Sequence, residues 1–100
     1  MKASVDGMLV AEAPDDRIIV VEGTATFRLT RLIIGVLQAS PTPYTCPWKG
    51  QARYYDVLST TGKCPDAAWC YPAPKHSAID AVGHDFTSYV AFDAQQITVA

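Results

Sequence analysis

One hundred residues, 49% hydrophobic and 18% charged, make one compact domain able to bury roughly 60–65% of the surface its unfolded chain exposes. A net charge of −2 with scattered Lys and Arg argues against a nucleic-acid partner, because duplex affinity is built from clustered cations that release counterions. The longest apolar runs, such as Leu32–Leu37 broken by Gly35, fall far short of the ~20 residues that span a bilayer, and the N-terminus lacks a signal-type apolar block; the reading is cytoplasmic, with no membrane partner.

KASVDGMLVAEA alternates around Asp6-Gly7, a two-residue hairpin signal because both central positions need positive φ, which predicts Lys2–Val5 paired with Met8–Glu12. Ala13-Pro14-Asp15-Asp16 reads as a turn. RIIVVEG is β-branched, so Arg17–Glu22 is the next strand, and Thr24–Leu29 resumes alternation after Gly23 as a second hairpin. In TRLIIGVLQAS, residues Leu32, Ile33, Val36 and Leu37 fit a helical face with Thr30 as its cap, at the cost of a glycine inside. Ser40-Pro41-Thr42-Pro43 is expected to be an exposed loop, since each proline pushes its predecessor out of the α region.

Cys46 to Ser59 reads as extended, with Thr60-Thr61-Gly62-Lys63 as the following turn. Asp66–Tyr71 is its returning strand, stopped by Pro72 and Pro74. Ser77-Ala78-Ile79-Asp80 has capping-box spacing, with Gly83 placed to end about one turn of helix. Tyr89–Phe92 and Ile97–Val99 close the chain as strands. The fold class is therefore mainly β, with one or two short helices.

Three cysteines, Cys46, Cys64 and Cys70, have no complete pairing, and reduced thiols are expected. Their spacings contain no CxxC pair, and His76 and His84 are the only imidazoles, so no metal site is expected. Both histidines read as surface residues in a loop-rich segment.

The stretch TCPWKG brings a thiol, an indole and an ammonium together. If Cys46–Gly50 is extended, Cys46, Trp48 and Gly50 share one face and Pro47, Lys49 and Gln51 the other. Trp48 and Lys49 line one pocket only if the strand bulges, and Gly50 beside Pro47 is a place where bulges occur. Alternation also puts Trp69 and Tyr71 together.

In these pieces the chain resembles the small bacterial family known as domain of unknown function 427. They run in that family's order: the N-terminal hairpin, VEG at Val21–Gly23, Phe27, CPWKG at Cys46–Gly50, ARYY at Ala52–Tyr55, DAAWCYP at Asp66–Pro72 and VAFD at Val90–Asp93. After VEG the family usually has an Asn and an aromatic-Pro step, where this chain has Thr24-Ala25-Thr26-Phe27-Arg28. The resemblance implies two antiparallel sheets leaning together as a β-tent with a pocket between them, and it implies no activity. A nucleotidyltransferase label sometimes given to the family finds no support in the residues: there is no glycine-rich phosphate loop and no carboxylate pair at metal-holding spacing.

Three functions follow as expectations. The first is a small-ligand binding module of unidentified ligand and cofactor, with Trp48, Tyr55, Trp69 and Tyr71 as aromatic lining and Lys49 and Arg53 as cations suited to an anionic small molecule. The second is an enzyme using Cys46 as nucleophile or redox centre, against Cys46 as a small buried hydrophobe. The third is a structural or interaction domain, such as a homodimer through a strand edge or aromatic patch.

Overall fold

Asp6 and Gly7 take φ of 51° and 73°, so β1 (Lys2–Val5) turns directly into β2 (Met8–Glu12), as the alternation predicts. The same device recurs at Glu22 and Gly23, with φ of 51° and 77°, between β3 (Ile18–Val21) and β4 (Thr24–Phe27). The computed structural model describes residues 1–28 and 36–100, together with the backbone of 31–32.

The remaining strands are β5 (Arg31–Leu32), β6 (Leu37–Cys46), β7 (Gly50–Ser59), β8 (Gly62–Cys70), β9 (Val90–Phe92) and β10 (Thr98–Val99). Among the described residues they form two antiparallel sheets, ordered β10-β1-β2-β5 and β3-β4-β9-β8-β7-β6. A 3-10 turn at Asp15–Arg17 and one α-helix, α1 (His76–Val82), complete the set. The mainly β fold is thus as expected from the sequence.

Two stretches differ from expectation. The helix placed over Thr30–Ser40 gives way to strand at both ends, where Arg31 and Leu32 pair with Glu12 and Ala11 while Leu37 pairs with Val57; its centre, 33–35, lies outside the described residues. The apolar spacing that fits a helix also fits two short strand ends. The loop at Ser40–Pro43 is instead part of β6, at the edge of the larger sheet, where missing proline amides are tolerated. Register against β7 jumps there, from Ala39↔Tyr55 to Pro43↔Arg53. β8 makes a matching jump, from Tyr55↔Ala68 to Val57↔Cys64, with Asp66 at φ 49°. The two bulges are tied across β7 by hydrogen bonds from Ser40 Oγ (2.5 Å) and Thr42 Oγ1 (2.8 Å) to the Asp66 carboxylate.

α1 ends at Gly83 as read, in the left-handed conformation with its amide donating to Ile79 O at 2.8 Å. Its start is a correction: the helix begins after Lys75 with no side-chain cap, so Ser77 is inside it and makes no capping box.

The larger sheet is covered on both faces. Between the sheets lies the main core, where Val5, Val10 and Ala11 of the small sheet meet Phe27, Val57, Ala68, Val90 and Phe92 of the large one. Phe27 and Phe92 meet edge to face at 5.5 Å, and each fully buried ring stabilises the fold by roughly 1.5–3 kcal/mol. The opposite face carries a second cluster, Val21, Cys46, Ala52 and Tyr71 beneath Ala78 of α1 and Phe86.

Candidate functional site

Alternation along β8 sends Ala68 and Cys70 into the main core and leaves Trp69 and Tyr71 on the outer face. Trp69 sits opposite Ala91 of β9 and Tyr54 of β7, and its ring lies 6.0 Å from that of Tyr54. Tyr71 packs edge to face on Phe86 at 6.2 Å. Around these rings is a cleft of about 250 Å³, lined by Val21, Glu22, Thr24 and Thr26 of the β3–β4 hairpin, by Lys49, and by Trp69, Tyr71, Phe86, Tyr89 and Ala91. This cleft opens on the face of the large sheet away from the main core, whereas the pocket that the resemblance implies would lie between the sheets.

TCPWKG builds one wall of it by turning rather than by running straight. Cys46 pairs with Gly50 across the β6–β7 hairpin, and Pro47, Trp48 and Lys49 form its turn, so the face assignment drawn from an extended strand does not apply. The turn is clamped from outside: the Lys75 amide donates to Lys49 O (2.9 Å) and Lys75 Nζ to Pro47 O (2.8 Å). Gly50 has φ +113°, and a Cβ there would lie 3.3 Å from Ala73 O. Only glycine allows this approach without strain.

Held this way, the Lys49 side chain turns inward, 11% exposed, and forms an ion pair with Glu22 Oε1. Its Nζ lies 4.9 Å from the Tyr71 ring centroid and 5.4 Å from that of Trp48. Burial works against the ammonium, but the Glu22 carboxylate and the Tyr71 hydroxyl more than offset it and hold its pKa above the ordinary value. Burial pushes the Tyr71 phenol up as well, opposed by its bond to Lys49. Lys49 is thus a fixed cation, the reverse of the depressed amine that nucleophilic or Schiff-base chemistry uses.

Of the residues read as a site, Lys49, Trp69 and Tyr71 come together in the cleft. Trp48 touches it only through Lys49 and is otherwise exposed at the turn's tip. Arg53 and Tyr55 are not brought to Lys49: with Cys70, Leu37 and Val90 they line a separate groove toward the main-core side of β7. Cys46 is 4% exposed and packed in the outer-face cluster, which favours its reading as a small buried hydrophobe. His76 and His84 are exposed. Among the described residues no group of His, Cys, Asp and Glu is arranged to hold a metal, and the three cysteines are free thiols.

The sequence reading missed Glu22, Phe86 and Tyr89. Glu22 reads as the charged end of the strand Arg17–Glu22, and only the VEG motif marks it. Phe86 lies after α1 in a segment without periodicity, and Tyr89 reads only as the start of a strand.

A family model matches the chain over residues 1–100, and its description is "Domain of unknown function (DUF427)". Among curated proteins nothing matches the chain.

Proposed function

We propose, for a chain that belongs to the DUF427 family and takes no activity from it, that the outer-face cleft is a binding site for a small organic molecule. The observation that carries this reading is a buried ammonium among the aromatic walls of a cleft. A lysine held almost out of water is costly unless it does something there, and a structural role would be met more cheaply by an apolar side chain. The cleft mixes ring and aliphatic walls with polar groups able to orient a ligand: Trp69, Tyr71, Phe86 and Tyr89 beside Glu22, Thr24, Thr26 and Lys49. Its volume suits a single ring with one substituent rather than a nucleotide. Trp69, Phe86 and Tyr89 supply the ring contacts, and Lys49 with the Tyr71 hydroxyl supplies the polar handle.

Because the chain has two tryptophans, Trp48→Phe leaves Trp69 as the sole indole. Titrating that variant with small aromatic compounds should shift or quench its emission saturably. Emission that stays unchanged across acidic, neutral and basic aromatic probes at millimolar concentration would remove the reading.

A second reading, as an interaction module, rests on Tyr44 and Trp48, which are 46% and 37% exposed on the β6–β7 hairpin at the edge of the large sheet. Pro41 and Pro43 on the same edge strand interrupt the row of amides that a second strand needs, so a contact there would use the aromatic side chains.

A further inference from the structure

The anion position of the cleft already holds a carboxylate, and it is the chain's own. Lys49 and Glu22 stand to lose very different amounts if parted: the lysine side chain is 11% exposed and the glutamate 53%. A buried ammonium must keep a partner, whereas a half-exposed carboxylate returns to water at little cost. Glu22 also sits at the tip of a two-residue turn on β3, the edge strand, so its side chain can swing out without disturbing a strand pair. The lysine is fixed and its partner is replaceable.

What fits in the partner's place follows from the surroundings. The position accommodates a carboxylate because one occupies it, and the Tyr71 hydroxyl is a second polar group beside Lys49. Lys49 is the one cation among the described lining residues, so it compensates a single negative charge, and a phosphate dianion would be left half-neutralised there. Beyond the charge, the walls are the rings of Trp69, Phe86 and Tyr89. We propose that the cleft takes small aromatic monocarboxylates, whose carboxylate displaces Glu22 from Lys49 while the ring lies against Trp69 and Phe86. This rests on the reading of the cleft as a ligand site. Glu22 is then a built-in competitor that keeps Lys49 paired in the empty cleft and sets the concentration at which an acid can enter.

The test uses benzoate and its neutral isostere benzamide, titrated into the full chain and followed by calorimetry and amide NMR shifts. Benzoate should bind the unaltered chain more tightly than benzamide. Glu22→Gln should strengthen benzoate by about 5–10-fold while leaving benzamide within about 2-fold, since only the charged ligand competes with the carboxylate. Lys49→Gln should erase the preference for benzoate. Should Glu22→Gln fold poorly, the unaltered protein still decides the matter: the Glu22 side-chain carboxyl carbon should move toward the shift of a free glutamate with benzoate and stay in place with benzamide. Benzoate affinity unchanged or lowered in Glu22→Gln, or a Glu22 resonance that benzoate does not move, overturns the proposal. If benzamide binds in the cleft as tightly as benzoate, the ligand site stands and this inference falls. If neither probe binds, both fall.

Discussion

The two indoles of this chain do different work, although the sequence presents them as a pair. Trp48 lies at the tip of a turn, 37% exposed, and contributes mainly a face to the Lys49 ammonium. Trp69 is half-buried mid-strand, with Tyr54 and Ala91 on either side in the sheet. Trp48→Ala should therefore cost less than about 1.5 kcal/mol, because water takes up the vacated space. Trp69→Ala should cost roughly 2–3 kcal/mol, below the full value for a sealed tryptophan since part of its ring already faces the cleft. Urea unfolding of both variants checks the order, and equal losses would mean that the turn is as much core as the strand. Composition alone leaves both rings open to either role; what separates them is the hairpin that puts one outside the ladder.

At the level of elements, turns were more legible than the segments between them. Asp6-Gly7 announces a positive-φ pair and Gly23 a break between strands, and both hairpins form where expected, although Glu22, read as the end of a strand, is the other residue of the second turn. Gly83 likewise marks the end of α1. Alternation misled where a strand is irregular. Pro41 and Pro43 read as a loop, yet an edge strand with a bulge carries them, held by bonds from Ser40 and Thr42 to Asp66 that no local pattern announces. TCPWKG read as a strand because nothing local distinguishes a three-residue turn there; its shape depends on the Ala73–Lys75 segment pressing on it from later in the chain. That dependence predicts a difference between two glycines. Gly7→Ala meets only its positive φ, with nothing within 4 Å of the new methyl group, and should cost about 1 kcal/mol. Gly50→Ala meets both a positive φ and Ala73 O at 3.3 Å, and should cost roughly 2–4 kcal/mol while also weakening ligand binding, because Lys49 is its neighbour. Denaturation of the two variants side by side checks this, and equal costs would show that the clamp yields freely.

The large sheet has two unlike faces: one closed by the small sheet over the main core, the other only partly covered, by α1 and the segment after it. Four titratable groups around these faces have pKa values pushed upward: Cys70 and Tyr54 by burial, Tyr71 by burial against the pull of Lys49, and Lys49 by Glu22 and Tyr71 against burial. A raised value means that the folded state holds its proton more tightly than the unfolded one. The stabilisation is then fully present below the unfolded pKa and is lost as pH rises through the folded one. The ordinary values are 9.0 for the thiol, 10.0 for the two phenols and 10.5 for the lysine, so stability should decline steadily from about pH 9 upward. Urea midpoints at intervals between pH 7 and 11 check it; a flat profile to pH 11 would contradict it. The two sheets were legible from the family resemblance, but which face of the large sheet carries the Lys49 cleft was not, since residues that share a face in sequence do not reveal which face the second sheet covers.

We propose that the partly covered face, at the cleft between Lys49 and Trp69, is where this protein meets a ligand. It is tested most directly by mapping amide and indole NMR shifts on the unaltered chain during titration with a panel of single-ring compounds. Saturable changes should concentrate at Glu22, Lys49, Trp69, Tyr71, Phe86 and Tyr89, with the Trp69 indole resonance among the largest. Changes confined to Tyr44 and Trp48, or to the groove of Arg53 and Tyr55, would contradict it.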